Sequence, residues 1–578
     1  MERRVFIAII LSFFVLYLYQ AMFVPTPAPA PTSSQTATPA TAAAPTDAAP
    51  VPEVTPPEPA SDAPAARVAE SSEREITVDT ATVQAVLTNR GARLVHWRLR
   101  DYHDAQGQLV DLVPSGLPPG EQLPFALRVD DARLTARMNT ALYRVSGDSN
   151  GHLDATTAPA TLTFEYQDAS GLQVKKDLRF DPKDYIVAFS AKVDNGGTAM
   201  NPAVLWGPGL GDLAPTAVSS GFFSGSSVLP PGAILHRAGK VERVVVTNLA
   251  EQPRQEGTFR FVGMEDHYFM AAVVTPGQAR VDYRQVLVPD AANMHRQLVS
   301  QVISFPQAPA DVRFFVGPKQ FDLLRSIDQE LVRAVNFGIF GWLAVPLLGG
   351  LKWIHGYVGN YGWSIILLTV LINLAIFPLR HKSVVSMRRM QELQPKIKAI
   401  QDRYANLKVT DPARQQMNSE VMALYKEKGV NPAGGCIPIL LTLPVLFAFY
   451  ALLGQAIELR GADFGWWIKD LSQPDPYYVF PVLVVVTMVW QQRLTPAAMD
   501  PTQQKVMMFM PVMFGFIFLT TASGTVLYWF VSNLWAIGQQ YFTTWLIGPP
   551  VVPVVRPAAE RRVKNVGTGR TAGAEKQP

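Results

Sequence analysis

Cysteine and charge are both scarce in this sequence. The single cysteine among 578 residues excludes a disulfide framework within the chain, whatever the compartment. Charged residues make up 17% of the chain and hydrophobic residues 48%. This composition is apolar for a soluble protein and favours membrane-spanning segments. A net charge of +4 is too small to indicate nucleic-acid binding by itself, and the length indicates more than one domain.

The N-terminal region predicts a membrane anchor followed by a tether. Arg3 and Arg4 precede an apolar run over residues 5–24, which at about 20 residues is long enough to span a bilayer. An uncleaved anchor with a cytoplasmic N-terminus is favoured, and the alternative is a signal peptide cleaved near Ala28–Ala30. Residues 25–72 are rich in proline, alanine, threonine and serine, so we expect a linker without a core.

Residues 73–320 predict a large antiparallel β-sandwich outside the cytoplasm. Stretches such as "TLTFEYQ" and "YIVAFSAKVDN" alternate apolar and polar side chains between turn residues. A structural or interaction module is favoured over a carbohydrate enzyme. The enzyme would need converging carboxylates and histidine. Glu265, Asp266 and His267 in "MEDHYF" are adjacent, and neighbours on a strand point to opposite faces.

Residues 321–357 predict a helical connector and then an interfacial helix. The second part is apolar but is interrupted by Pro346 and two glycines, and its tryptophans and tyrosines suit the membrane interface. A helix lying flat on the membrane is favoured over a span. Five spans are then predicted within a core of residues 358–548, at about 361–379, 436–457, 477–492, 506–521 and 524–547.

The loops predict the orientation of these spans. Basic residues directly follow the first core span, and the tail of residues 549–578 is basic, so both regions should be cytoplasmic. With six spans in all, both termini lie inside. Residues 382–429 contain two amphipathic helices and predict a cytoplasmic hairpin. Its surface is either simply solvated or contacts lipid headgroups or ribosomal RNA, and charge alone does not separate these alternatives.

Polar side chains recur within the predicted spans. Thr369 and Asn373 are four residues apart and Arg380 follows seven later, so the three share one helix face. For any single residue, hydrogen bonding between helices is favoured. The set as a whole is also compatible with a hydrated cavity. No acidic or histidine relay occurs mid-span and no internal repeat is visible, which argues against a solute transporter. The last span adds Tyr528, Ser532 and Asn533.

Several long motifs resemble the bacterial YidC membrane protein insertases, relatives of the Oxa and Alb insertases. They cover most of residues 316–545, and the N-terminal span with a β-rich domain is similar to the Gram-negative form. The resemblance implies an inner-membrane protein with a periplasmic domain similar to sugar-mutarotase sandwiches but without catalysis. The motifs include "VGPKQFDLL", "SMRRMQELQPKIKAIQDRY", "NPAGGCIPILLTLPVLFAFYALL", "DPTQQKVMMFMPVMF" and "SGTVLYWFVSNLWAIGQQ".

The resemblance also implies a mechanism. Five core helices would enclose a hydrophilic groove that admits the polar segment of a nascent membrane protein, while its apolar segment slides along the exterior into the lipid bilayer. The Sec translocon would be a partner, the ribosome would bind weakly through the hairpin and the tail, and no catalytic residue, cofactor or metal is expected. We expect an apolar slide at Leu446, Phe447, Met508, Phe509 and Met513, and recruitment of substrates by Arg388, Arg389, Lys396 and Lys398.

One position departs from the family pattern. The groove of the family usually carries a basic residue five positions before the proline of "PL", and here that position is Asn373. An amide can hydrogen-bond a polar segment but cannot attract an acidic one by charge. Arg380 is then the nearest cation, expected at the cytoplasmic mouth of a groove lined by Thr369, Asn373, Tyr528, Ser532 and Asn533.

Overall fold

The computed structural model describes most of the chain between residues 64 and 548. The predicted anchor (5–24), most of the predicted linker (25–72) and the basic tail (549–578) lie outside the described residues. The predicted turn of the hairpin also lies outside them. The described ranges are 64–104, 106–118, 120–211, 229–289, 295–404, 413–429, 437–494 and 501–548.

The β-rich region contains nineteen strands in its described part, with one α-helix, α1 (Ala132–Thr140), among them. In chain order the strands β1–β19 are Ala66–Val68, Glu75–Asp79, Val83–Thr88, Arg93–His103, Leu109–Asp111, Ala126–Arg128, Arg144–Ser146, His152–Asp154, Ala160–Asp168, Leu172–Phe180, Ile186–Asn195, Thr198–Met200, Ala203–Trp206, Gly232–Arg237, Lys240–Val245, Arg254–Glu265, Phe269–Pro289, His295–Ser304 and Val312–Pro318.

The strands form two sheets that share one apolar core. Fourteen strands build a sheet whose main path is β1-β9-β10-β11-β19-β17-β16-β14-β15, and five build a second sheet in the order β5-β4-β3-β2-β8. Buried side chains of both sheets belong to a single cluster. The predicted pairing was antiparallel throughout. The structure has one exception, because β2 and β8 run parallel from Thr77 opposite His152 to Asp79 opposite Asp154.

Strand β10 follows the alternation of buried and exposed residues but places one charged side chain in the core. Alternate residues from Leu172 to Phe180 point into the core, as the period of two requires. The third of these inward positions is Lys176, which is fully buried. Its Nζ donates to the carbonyl oxygens of Gly91 at 2.7 Å, Ala92 at 3.2 Å and Phe125 at 2.9 Å. Three carbonyls thus match the three N–H groups of one ammonium, which fixes the two loops against the strand.

Strand β1 changes one predicted boundary. The sequence predicts a linker as far as residue 72, but Ala66–Val68 pairs with β9. The amide of Ala169 also donates to the carbonyl of Ala65 at 2.9 Å. A low content of large apolar residues did not prevent pairing here, because the open edge of β9 supplies backbone partners.

After the sheets the chain becomes helical. A short helix and two 3₁₀ turns, Leu331–Ala334 and Gly338–Phe340, lead to the interfacial region. Helices α2–α9 are Phe321–Ile327, Gly341–Val358, Tyr361–Arg403, Ala413–Glu427, Ile437–Gln455, Val479–Leu494, Pro501–Phe518 and Ser523–Ile547.

Two helices are longer than the sequence pattern predicts. Helix α3 continues through Pro346, where an interruption was expected, because Leu348, Leu351 and Ile354 pack one face of it into the core. Helix α4 has 43 residues, about 65 Å at 1.5 Å per residue. It runs from the predicted first core span through Pro378 into the first arm of the predicted hairpin without a break.

Only one helix among the described residues is long and apolar enough to cross a membrane by length and hydropathy alone, over Tyr361–Ser386 of α4. Three shorter apolar stretches lie in α6, α7 and α8, at Leu443–Gln455, Val479–Leu494 and Met508–Phe518. Sixteen helical residues span only about 24 Å, so α7 is shorter than a hydrocarbon core of about 30 Å.

Candidate functional site

A chain of hydrogen bonds joins the three predicted polar residues of α4. The hydroxyl of Thr369 donates to the carbonyl of Ile365 at 2.6 Å, and Asn373 Nδ2 donates to the carbonyl of Thr369 at 2.8 Å. Arg380 then donates from a guanidinium nitrogen to Asn373 Oδ1 at 2.9 Å. Asn373 is buried. Arg380 is seven residues, about 10 Å of helix, beyond Asn373, so its side chain turns back and carries the cation to the level of the amide.

Helix α9 presents a matching row of polar groups. Tyr528, Ser532, Trp535 and Gln539 follow one another at intervals of three or four residues and therefore lie on one face. Trp535 Nε1 and Gln539 Nε2 are buried and have no hydrogen-bond partner within the described part of the chain. Buried polar atoms nearly always need a partner. This row therefore favours a site that water or a polar ligand enters.

Asn533 does not belong to this row. Its side-chain amide donates to Thr487 Oγ1 of α7 at 3.2 Å. That Asn533 lines the groove stays a prediction, and in the structure the residue makes an interhelical hydrogen bond, the alternative that the sequence left open. Thr487 was not predicted, since a single threonine in an apolar helix carries no distinctive signal.

The two helices bring their polar groups together. Helices α4 and α9 pack against each other. One residue beyond Arg380, His381 Nδ1 lies 3.3 Å from Thr543 Oγ1 of α9. We refer to the set Thr369, Asn373, Arg380, Tyr528, Ser532, Trp535 and Gln539 as the polar face.

The predicted apolar slide is only partly exposed. Met508, Phe509 and Met513 of α8 are 60%, 67% and 49% exposed. Leu446 is partly buried against the core, and the ring of Phe447 stacks on Phe340 with centroids 5.6 Å apart. The more exposed apolar surface is therefore on α8, whereas Leu446 and Phe447 are partly covered and their part in the slide stays a prediction.

The basic residues predicted for the hairpin lie on the part of α4 that follows the apolar stretch Tyr361–Ser386. Arg389, Lys396 and Lys398 are exposed, and the side chain of Arg388 lies outside what the structure describes. Glu420 of α5 ties the two arms together. It accepts from Arg403 at 2.8 Å and from the Tyr404 hydroxyl at 2.7 Å.

Comparison with known proteins assigns the β-rich region and the helical region of the chain to protein families. Residues 75–349 match the YidC periplasmic domain family, and residues 353–547 match the 60Kd inner membrane protein family. The membrane protein insertase YidC of Geobacter metallireducens is 34% identical over 94% of this chain and 98% of its own length. The chain belongs to the YidC family of membrane protein insertases. The family is one of insertases in the inner membrane, not of enzymes.

A second relative by sequence agrees with this membership. YidC of Syntrophus aciditrophicus is also 34% identical, over 94% of this chain and 99% of its own length. A solved structure described as an active YidC insertase with the first transmembrane domain resolved is 19% identical and covers 83% of this chain and 95% of that chain, with a TM-score of 0.34. The YidC assignment rests on the sequence matches.

In the periplasmic domain of this YidC-family chain, the "MEDHYF" motif is occupied by structural contacts. Glu265 is 3% exposed and accepts from Arg243 Nε at 2.7 Å and from Lys319 Nζ at 3.0 Å. Arg243 also donates to the carbonyl of Ala334 at 2.7 Å, in the connector to the core. The carboxylate that a sugar-converting site would require is therefore engaged in a buried ion cluster.

His267 joins the periplasmic domain to the membrane core. The amide of Leu229 donates to His267 Nδ1 at 3.1 Å, so the ring proton is on Nε2, which donates to the carbonyl of Gly454 in α6 at 2.9 Å. Arg460 adds a second contact, with its guanidinium 5.4 Å and 4.9 Å from the ring centroids of Tyr268 and Phe269. Within the described residues no group of three or more histidine, cysteine or acidic side chains could hold a metal ion.

The burial of His267 makes the stability of the folded chain depend on pH. Burial, aided by nearby Lys319, lowers the pKa of His267 from 6.5 to about 4. Between these values the unfolded chain binds a proton that the folded chain does not, so the free energy of unfolding falls as pH drops from 6.5 to 4. The loss is at most about 3 kcal/mol.

His267→Gln is expected to remove this component of the pH dependence. The measurement is the thermal unfolding temperature of the full chain in detergent at pH 7 and pH 5. His152, which is exposed in the same domain, provides the control variant His152→Gln, which should keep the wild-type pH dependence. An unchanged pH dependence in His267→Gln would contradict the prediction.

Proposed function

We propose that this YidC-family protein inserts nascent inner-membrane proteins by admitting their polar segments to the polar face between α4 and α9. One observation carries the proposal: the Arg380 guanidinium is held at Asn373, beside a row of α9 groups in which Trp535 Nε1 and Gln539 Nε2 are buried without a partner among the described residues. Such groups can hydrogen-bond the backbone and side chains of a polar segment at membrane depth.

Arg380 supplies the cation that Asn373 lacks. The amide oxygen of Asn373 accepts from the guanidinium at 2.9 Å and thereby holds the charge deeper than the backbone of Arg380. A guanidinium has five donors, so binding one amide oxygen leaves donors for a substrate carboxylate or carbonyl. The proposed groove therefore attracts acidic segments by charge although its asparagine is neutral.

The apolar segment of a substrate would follow the outer surface of α8. Met508, Phe509 and Met513 are exposed there, and methionine side chains adapt to many partners. Burying an apolar segment in lipid provides about 25 cal/mol per Å², which is the driving force. A polar segment of the substrate can cross the membrane here because α7 and α8 are short, which thins the bilayer locally. The polar face further shortens the apolar distance that this segment must cross.

The remaining features of the proposal concern topology and partners. We propose six spans with both termini in the cytoplasm, and a cytoplasmic hairpin that recruits substrates through Arg388, Arg389, Lys396 and Lys398. The basic tail and hairpin would contact the ribosome weakly, and the Sec translocon would be a second partner. The exposure of Arg389, Lys396 and Lys398 supports the recruiting role of the hairpin.

Cross-linking tests the route of the substrate. In a Cys436→Ser background, Ser532→Cys is expected to cross-link a ribosome-stalled nascent membrane protein that carries one cysteine in its polar segment. Val486→Cys is the matched control, because Val486 is 55% exposed on α7 and is not part of the polar face. Equal yields at the two positions, or none at Ser532→Cys, would refute the proposed route.

Asn373→Leu tests the same proposal by function. The substitution removes the acceptor that holds Arg380 and leaves the guanidinium without its amide partner, so growth in a depletion–complementation assay should be impaired. Leu374→Ala is the control, because Leu374 is 56% exposed and points about 100° around the helix from Asn373. Full complementation by Asn373→Leu would remove Asn373 from the mechanism.

A further inference from the structure

A polar cavity lies at the end of the membrane core that faces the periplasmic domain. It has a volume of about 490 Å³, which is within the range of small-molecule sites. It opens where α3 ends and α4 begins, and the loop that follows α6 closes its other side. The lining includes His355, Asn360, Tyr361, Glu458, Arg460 and Asp463.

The surroundings place this cavity at the level of the periplasmic lipid headgroups. Arg460, which lines it, contacts rings of the periplasmic domain. The membrane-spanning part of α4 begins at Tyr361, in its wall. Trp353, Tyr357 and Trp363 on the adjoining helices are 63%, 77% and 51% exposed. Exposed aromatic residues of this kind are typical of the membrane–water interface.

One side of the cavity is positive. Arg460 brings a guanidinium, and the first turn of α4 brings the positive end of a 43-residue helix. Asn360 caps this helix by accepting from the amide of Trp363 at 3.1 Å. A guanidinium together with a helix N-terminus is a combination that binds phosphate.

The other side of the cavity carries two carboxylates, each with a lysine partner, and only that of Asp463 is exposed. The side chain of Glu458 is 6% exposed and lies 3.2 Å from Lys352 Nζ. The carboxylate of Asp463 accepts from the amide of Gly465 at 2.6 Å, lies 3.3 Å from Lys469, and is 54% exposed. A ligand that carries a phosphate and an ammonium group a few bonds apart satisfies both sides of the cavity.

We propose that this cavity binds the phosphoethanolamine headgroup of a lipid in the periplasmic leaflet. The phosphate lies toward Arg460 and the N-terminus of α4, and the ammonium group donates to the exposed carboxylate of Asp463. The bound lipid fills the space between helix α3, helix α4 and the contact that Arg460 makes with the periplasmic domain. This site is independent of the polar face and of the route that substrates take.

Native mass spectrometry of the full chain in detergent micelles tests the site. The protein is offered equimolar phosphatidylethanolamine, phosphatidylglycerol and phosphatidylcholine with identical acyl chains. Phosphatidylethanolamine is expected to be retained about fivefold over phosphatidylglycerol. This ratio corresponds to about 1 kcal/mol, the free energy that a partly exposed ion pair contributes. Equal retention of these two lipids overturns the proposal. Retention of phosphatidylcholine equal to that of phosphatidylethanolamine also overturns it, because a quaternary ammonium cannot donate.

Two variants and a soluble competitor locate the binding. Asp463→Asn keeps the side-chain shape and is expected to abolish the preference for phosphatidylethanolamine. Asp194→Asn makes the same chemical change in a cavity on the β-sheet and should keep the preference, so an equal loss in both variants overturns the assignment. Excess glycerophosphoethanolamine is expected to displace the lipid. Failure to displace it would place the affinity in the acyl chains and overturn headgroup recognition.

Discussion

Arg380→Gln is expected to reduce insertion of a substrate with an acidic translocated segment by about tenfold or more. A hydrogen bond to a charged group contributes about 1.5–3 kcal/mol, and each 1.4 kcal/mol is tenfold in an equilibrium constant. The substitution removes the cation from the polar face but keeps a donor of similar size near Asn373 Oδ1. The measurement is protease protection of the translocated segment after insertion into proteoliposomes that contain the purified protein.

A double variant separates the charge from the residue that carries it. In Asn373→Arg with Arg380→Gln, the guanidinium is attached at the level to which Arg380 now reaches, so insertion of the acidic substrate is expected to recover. Lys382→Gln is the control, because Lys382 is exposed two residues beyond Arg380 and should have little effect. A substrate whose translocated segment is neutral should depend less on Arg380. Wild-type insertion of the acidic substrate by Arg380→Gln would contradict a role for the cation.

The sequence predicts which helix face carries the polar residues but not where the charge lies. Spacing of four and seven residues places Thr369, Asn373 and Arg380 on one face of α4, and the structure agrees. The same spacing predicted the cation at the cytoplasmic mouth. A flexible arginine can turn back along its helix when an acceptor is within reach, and a residue pattern contains no information about that rotamer.

Contacts between distant segments account for the other differences. Asn533 binds Thr487 of another helix, and β1 pairs with an open strand edge about a hundred residues away in the chain. His267 and Arg460 meet partners that neither local composition nor periodicity could suggest. By contrast, the strands of the β-rich domain and the cores of the membrane helices follow the local alternation and apolar runs. The sequence therefore predicts the elements whose buried side follows from the local residue pattern, and not the contacts between distant segments.

Glu265→Ala is expected to destabilise the periplasmic domain by about 3–5 kcal/mol, the usual effect of removing one partner of a buried ion pair. Arg243 and Lys319 both donate to this carboxylate, whose side chain is 2% exposed. Lys319 Nζ also donates to the carbonyl of Asp266 at 2.6 Å, so it is held in place after the carboxylate is lost. Two cations would then remain close together with no anion between them. The measurement is thermal unfolding of the full chain in detergent, followed by near-ultraviolet circular dichroism.

A surface pair in the same domain gives the matched control. Glu242 binds Arg237 at 2.8 Å with two parallel hydrogen bonds, but its side chain is 42% exposed. Glu242→Ala should therefore cost no more than about 1 kcal/mol. The double variant Glu265→Leu with Lys319→Leu should be more stable than Glu265→Ala, because it removes one cation together with the anion and fills the space with apolar atoms. Equal destabilisation by Glu265→Ala and Glu242→Ala would show that burial does not set the strength of this cluster.

The connection of Arg243 to the carbonyl of Ala334 predicts that protease sensitivity of the connector rises in Glu265→Ala alone.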